Sequence, residues 1–211
     1  MHLSAIIFWG LIAYIIGSIP SSVWIGKSYF GKDVRDFGSG NAGATNTFRV
    51  LGTQAGIIVL LLDILKGVTA ASLVLYIPSV LHGTELYINL QLLFGILAVF
   101  GHIFPIFENF NGGKGIATLF GMLIGIHYIL AVACVALFVV VLLLTRYVSL
   151  SSILAAISFP FFAIYIFHRD EPLLIAFGVA AALMVVITHK KNIIRLLNGE
   201  ESKANLFRNK S

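Results

Sequence analysis

The chain has 211 residues, of which 59% are hydrophobic and only 11% charged, and its mean hydropathy is +0.98. Soluble domains carry about a quarter charged residues, so this composition excludes an ordinary cytosolic protein and leaves no room for a separate soluble domain. A lone cysteine, Cys134, set in an apolar run, excludes a disulfide framework and cysteine-based metal sites.

In chain order, the first apolar run spans Leu3 to about Ile25. It lacks a basic leader and a small-residue cleavage site, so it reads as a retained helix. Further runs cover Ala55–Val80, Ile88–Phe107, Ile116–Leu144, Leu150–Phe167 and Leu173–Thr188. About 20 apolar residues cross a bilayer core as a helix. The run Ile116–Leu144 is too long for one crossing and is expected to split near Gly125–Tyr128. Charge then decides between six and seven spans. With seven, 12 of the 14 bases fall on one side, including Lys27, Lys32, Arg35, Arg49, Lys114, Arg146 and six in the tail. Arg169 alone faces the other side, and Lys66 lies within a span. The net charge of +5 therefore reports topology rather than nucleic-acid binding. The expectation is an all-α polytopic membrane bundle of seven transmembrane helices, with the amino terminus outside and the carboxyl terminus cytoplasmic. It forms one domain, 1–211, ending in a polar, disordered tail from about Gly199.

The basic segments also hold the chemistry-bearing polar residues. Phe37-Gly-Ser-Gly-Asn-Ala-Gly-Ala-Thr-Asn-Thr-Phe-Arg49 carries glycines at 38, 40 and 43. Glycines this dense let backbone N–H groups turn inward around an anion. Ser39, Asn41, Thr45 and Asn46 add short donors, and Arg49 adds a planar fork. The match of Gly38–Gly43 to a dinucleotide fingerprint is spurious, because no strand precedes it and Asp63 lies in a span. A flexible glycine loop without a ligand is the plainer alternative.

Gly112-Gly-Lys-Gly115 places an ammonium between bare amides just before a helix, which suits a phosphate. Lys114 could equally be a topology anchor, and His102 upstream reads first as a hydrogen-bonded structural histidine. The hydroxyls of Ser149, Ser151 and Ser152 cluster at a helix start, where capping competes with ligand contact. His189 and Asn192, three apart, share a helical face at the end of the last span, and Lys190 and Lys191 beside them read as headgroup anchors. Asp63 and Lys66 lie three apart at membrane depth, most simply as an ion pair. Gly121 and Gly125 mark a packing seam.

Gly17-Ser-Ile-Pro20, the glycine segment to Asn46, Asp63-x-x-Lys-Gly67, Gly-His-x-Phe-Pro105, Gly-Gly-Lys-Gly115 and His189-x-x-Asn192 occur in this order. Together they resemble the bacterial acyl-phosphate-dependent glycerol-3-phosphate acyltransferases, the PlsY family. The resemblance implies seven helices in the cytoplasmic (inner) membrane, an active site facing the cytoplasm, and neither metal nor cofactor. It implies acyl transfer from acyl phosphate to the 1-position of glycerol 3-phosphate, giving lysophosphatidate and phosphate, the first step of phospholipid synthesis. Substrate binding would then involve Ser39, Gly40, Asn41, Gly43, Arg49, Gly112, Gly113, Lys114, Ser149, Ser151, His189 and Asn192. Ser39, Asn41, Lys114 and His189 would position groups and stabilise charge.

The residues themselves agree with two phosphate-bearing substrates and an apolar slot among helices, with membrane lipids as the surroundings. No His-x-x-x-x-Asp follows any of the six histidines, so the acyl-thioester glycerolipid enzymes are not resembled. A mixed anhydride needs little beyond positioning, an oxyanion site and removal of one proton. The substrate's own phosphate could take that proton, with His189 as the rival base and an acyl-enzyme at Ser39 as a third route. A phosphate transporter would instead place polar residues near mid-membrane, often with inverted repeats. A purely structural membrane protein would not need two glycine–base loops.

Overall fold

The computed structural model describes residues 3–169 and 171–204. Residues 205–211 of the expected tail lie outside the described residues. Regular structure among the described residues is wholly helical: α1 (Leu3–Ser18), α2 (Ser21–Phe30), α3 (Ala44–Leu51), α4 (Thr53–Ser72), α5 (Glu85–Ile103), α6 (Ile116–Thr145), α7 (Val148–Phe161), α8 (Pro172–Thr188) and α9 (Lys190–Leu197). The chain divides into two compact units, 1–128 and 129–211.

In the first unit, small residues let helix backbones touch. A Cβ on Gly17 would collide with the Ala98 carbonyl, and one on Gly101 with the Tyr14 carbonyl, so α1 and α5 meet without intervening side chains. Gly67 lies equally close to Thr118, and Gly121 to Ile64, which packs α4 on α6. The seam expected at Gly121 and Gly125 is thus present. Ala13, Ala70, Val74, Phe94 and Ala98 form the dry interior of this bundle. The first run is not one continuous helix as expected: Pro20 interrupts it, and α1 and α2 bend by 41°. Proline forces the preceding residue out of helical geometry and then starts the next helix, accepting from Trp24 N–H at 3.0 Å.

In the second unit, α7 carries Pro160 and loosens into a π-turn over Phe162–Ile166. The Phe159 and Phe177 rings meet edge to face at 6.0 Å. Gly178 admits the Phe159 ring against α8. Chain direction then turns by 62° into the short amphipathic α9.

Four segments, 53–76, 85–108, 116–145 and 148–166, are long and apolar enough to cross a membrane, and six are if each bent pair is one crossing. Large apolar side chains such as Leu11, Leu144 and Ile187 face outward, as a lipid solvent allows. The expected split of the fourth run is a real break: His127 has φ −152° and ψ 85°.

Candidate active site

The glycine segment is organised by one side chain. Asn46, on the second residue pair of α3 and 1% exposed, accepts from Ser39 N–H at 2.8 Å through Oδ1. Its Nδ2 donates to Val34 O at 2.7 Å and Phe37 O at 3.1 Å. Asn46 was expected to offer its amide to a ligand, and here it pins the loop instead. The inward-turned backbone reading needs the same correction at two positions, since Ser39 N–H goes to Asn46 and Gly40 N–H to Phe37 O at 3.1 Å. Gly38 has φ +63°, and a Cβ there would strike Asn46 Oδ1, so both conformation and space require glycine. Ser39, Asn41 and Gly43 remain partly accessible, while Gly40, Thr45 and Arg49 are exposed.

The second loop folds back under the first. Gly112 N–H donates to Ile103 O at 3.1 Å and Gly113 N–H to His102 O at 3.0 Å. A Cβ on Gly113 would crowd the His102 ring and lie 2.9 Å from Ala42 O, so the two glycine loops are in backbone contact. Gly115, at φ +77°, turns the chain into α6 and leaves half-buried Lys114 just before that helix. His102 is buried, with Nδ1 3.7 Å from Asp63 Oδ1, and Asp63 accepts from Lys66 at 2.7 Å. The intramembrane ion pair is therefore as expected, and His102 joins its edge.

An ionic clamp locks the loops together. Arg35 Nε and Nη2 straddle Asp33 at 3.0 and 2.7 Å. Nη2 also reaches Glu108 at 2.6 Å, and Nη1 reaches Asn111 O at 3.2 Å. Lys27 adds contacts at 3.2 Å to Asp33 and 3.7 Å to Glu108. The Arg35 hydrogen bonds hold the Asp33 carboxyl well below the usual carboxylate range, and the same pairing raises Arg35. Sequence reasoning counted these residues for topology and missed the clamp, because the partners lie 73 to 76 positions apart.

In the second unit the expected residues converge on one that was not expected. Glu201, assigned from sequence to a disordered tail, is 8% exposed. Its Oε1 accepts from Asn192 at 2.8 Å and Ser149 at 2.9 Å, and its Oε2 from Arg195 at 3.0 Å. Burial alone would raise this carboxyl; the hydrogen bonds from Asn192 and Ser149 and the Arg195 charge outweigh it, and the net shift is downward. Ser151 and Ser152 bond back to Tyr147 O and Val148 O at 2.8 and 2.9 Å. The three serine hydroxyls thus direct their protons within the unit, without capping α7. His189 stands at the junction of α8 and α9, 3% exposed, with Nδ1 2.9 Å from Val185 O. A carbonyl requires a donor, so Nδ1 carries a proton in this contact.

The order of these features along the chain is that of a known family. A family model described as glycerol-3-phosphate acyltransferase matches residues 7–199. The chain belongs to that family. The glycerol-3-phosphate acyltransferase of Enterococcus faecalis (strain ATCC 700802 / V583) is 47% identical over 200 residues, covering 92% of this chain and 89% of that protein. That of Listeria monocytogenes serotype 4a (strain HCC23) is 45% identical over 199 residues, covering 94% and 96%. The fold is similar to the crystal structure of PlsY (YgiH), an integral membrane glycerol 3-phosphate acyltransferase, in its glycerol 3-phosphate form. The TM-score is 0.84 at 34% identity, with 96% of each chain covered. The lysophosphatidic acid form of that enzyme gives 0.79 at 32% identity, with 95% of each covered.

Proposed function

We propose that the chain transfers a fatty acyl group from acyl phosphate to the 1-hydroxyl of glycerol 3-phosphate, yielding 1-acyl-glycerol 3-phosphate and inorganic phosphate. This is the first step of phospholipid synthesis in the bacterial cytoplasmic membrane. The observation that carries the reading is the backbone contact between two glycine loops at Ala42 and Gly113, with a base close to each, Arg49 on α3 and Lys114 just before α6. Such a pair suits two phosphates held side by side. The names of the relatives, and the two ligand forms of the similar crystal structure, supply the acceptor and the product class. The acyl-phosphate donor rests on the motif order and on the missing His-x-x-x-x-Asp pattern.

Seven spans with the amino terminus outside fit the break at His127, which divides α6, and the 12-to-1 distribution of bases. The basic loops then face the cytoplasm. Ser39, Asn41, Gly43 and Arg49 bind phosphate from the first segment and Lys114 from the second; Gly40, Gly112 and Gly113 were expected to donate as well, but their N–H groups go to Phe37 O, Ile103 O and His102 O, so these glycines shape the loops instead. His189, Asn192, Ser149 and Ser151 add polar contacts; the Ser149 hydroxyl, which donates to Glu201, keeps its lone pairs for a ligand donor.

In the reaction the 1-hydroxyl oxygen attacks the acyl carbonyl carbon. The carbon–oxygen bond to phosphate breaks, and phosphate leaves with that electron pair. Lys114 and Ser39 stabilise the charge that develops. The hydroxyl proton passes to a substrate phosphate, whose second pKa lies near 6. A second reading makes His189 the base, favoured by the Nδ1 contact to Val185 O, which fixes the ring orientation.

One set of assays tests all of this. Purified protein should release phosphate and form lysophosphatidate from acyl phosphate and glycerol 3-phosphate, and not from acyl thioesters. Mass spectrometry with acyl phosphate alone should find no acyl adduct on Ser39, and double-reciprocal lines should intersect. His189→Ala should keep turnover at saturation; a fall of roughly 100- to 10,000-fold would make His189 the base. A Ser39 adduct that reacts onward with glycerol 3-phosphate would overturn direct transfer.

A further inference from the structure

Beneath the contact of the two glycine loops lies a small cavity of about 10 Å³, walled by Ser21, Ala42, Lys66, His102, Gly112 and Gly113. Three of these side chains are polar and more than nine-tenths buried: Ser21 at 5%, Lys66 at 5% and His102 at 7% exposure. They come from three elements, α2, α4 and α5. The Ser21 hydroxyl has no hydrogen-bond partner in the protein. Lys66 gives one N–H to Asp63, and an ammonium has three to give. At membrane depth such groups are costly unless satisfied locally.

We propose that this cavity is a binding site for a single ordered water, which bridges Ser21 Oγ and Lys66 Nζ and makes both of them positioning residues for the Gly112–Gly113–Lys114 loop. Size selects the ligand: roughly 10–15 Å³ of such volume holds one water, and a phosphate group does not fit. Chemistry agrees, because water can accept from the ammonium while it exchanges a hydrogen bond with the hydroxyl. The ion pair with Asp63 leaves the site near neutral, so it does not call for an anion. The consequence runs through His102, whose carbonyl holds Gly113 N–H at 3.0 Å and whose ring abuts Gly113. One water in the cavity ties α2 to α4, and Asp63, which pairs with Lys66 and lies 3.7 Å from His102 Nδ1, carries the link to α5 beside the loop that bears Lys114.

The kinetic half of this inference rests on the acyltransfer reading; the binding half does not. A crystal structure of the wild-type protein that shows ordered water should reveal one peak within about 2.6–3.2 Å of both Ser21 Oγ and Lys66 Nζ. Direct bonding of Ser21 Oγ to protein, with no such peak, overturns the site. Ser21→Val fills the cavity and should abolish the peak. It should also raise KM for glycerol 3-phosphate roughly 10-fold with kcat within about 2-fold, the worth of one hydrogen-bonded bridge to a charged group. Ser21→Ala leaves room for the water and should raise KM only about 2- to 5-fold. A general packing role would lower the yield of folded protein without this split. Wild-type KM in Ser21→Val, or a fall in kcat alone, overturns the positioning role. A water peak in a protein without acyltransfer activity would sink the proposed reaction and leave the site standing.

Discussion

Removing Arg35 should loosen the two glycine loops, and the contacts allow the size of the effect to be worked out. The guanidinium makes four contacts of 2.6 to 3.2 Å, to Asp33, Glu108 and the Asn111 carbonyl. Its side chain is 17% exposed and Glu108 is 13% exposed, so the pair is neither a free surface bridge nor fully dry. Exposed pairs contribute up to about 1 kcal/mol, and breaking a buried pair costs about 3–5 kcal/mol. An intermediate loss of about 2–3 kcal/mol is expected for Arg35→Ala, since Lys27 stays near both carboxylates but is half exposed. Arg35→Lys should recover less than half, because a point charge cannot straddle Asp33 and still reach Glu108. The assay is a double-mutant cycle of Arg35→Ala with Glu108→Gln, read by thermal unfolding in detergent and by KM for glycerol 3-phosphate. Coupling of about 1.5 kcal/mol or more is expected. Asp33 is lowered in the folded state, so its share of the stability is complete above about pH 4 and disappears as pH falls toward its folded value. The Asp33 share of the Arg35→Ala loss should accordingly be flat across neutral pH. Additivity within about 0.3–0.5 kcal/mol would refute the clamp as a brace between the loops.

In a Cys134→Ala background, cysteines at exposed Thr45 and Ser202 should resist an impermeant external thiol reagent in intact cells, while one at exposed Ser79 should label; labelling of Ser202 from outside would sink the seven-span topology. Arg49→Lys keeps the charge and loses the fork, so KM for glycerol 3-phosphate should rise roughly 10-fold at unchanged protein yield, and wild-type kinetics would remove the bidentate role. Gly38→Ala meets both a φ of +63° and the Asn46 side chain, so it should cost about 1–3 kcal/mol of stability and most of the activity; near-wild-type behaviour would show that Asn46 does not set the loop.

The all-helical apolar architecture, the break in the fourth run and the packing seams were legible because they follow from local chemistry. Apolar length marks a crossing, a 29-residue run predicts a break, and glycines four apart predict close helices. The break at His127 and the contact of Gly121 with Ile64 follow from those rules. What could not be read was the destination of each donor. Asn46 and Asn41 look alike in a glycine-rich segment, yet burial and two carbonyls 9 and 12 residues back commit the Asn46 amide to the loop. Glu201 sits in a charged, Gly-flanked stretch that has every mark of a tail. Only the folded second unit shows that Ser149, 52 residues earlier, and Asn192 need its carboxylate. The serine cluster misled for a related reason: at a helix start a hydroxyl can cap, bind a ligand or return to the carbonyl four residues back, and the composition is the same in all three cases.

Four buried or part-buried carboxylates bear on the chemistry as well. Asp33 and Glu108 are matched by Arg35 and Lys27, Asp63 by Lys66, and Glu201 by Arg195. Each acidic group neutralises a base that belongs to the framework. Pairing of this kind also lowers the basicity of Asp33 and Glu201, whose shifts are downward. A general base works best with a pKa near the working pH, so these carboxylates are poorly suited to take a proton from a hydroxyl. On the proposed reaction path the candidate proton acceptors are the substrate phosphate and His189. With acyl phosphate as the proposed donor that is sufficient: its leaving group needs no protonation to depart, and the protein's task would reduce to holding two phosphates and one carbonyl in register. Rigid glycine loops braced by internal ion pairs are suited to that task, because they hold geometry without presenting competing charge.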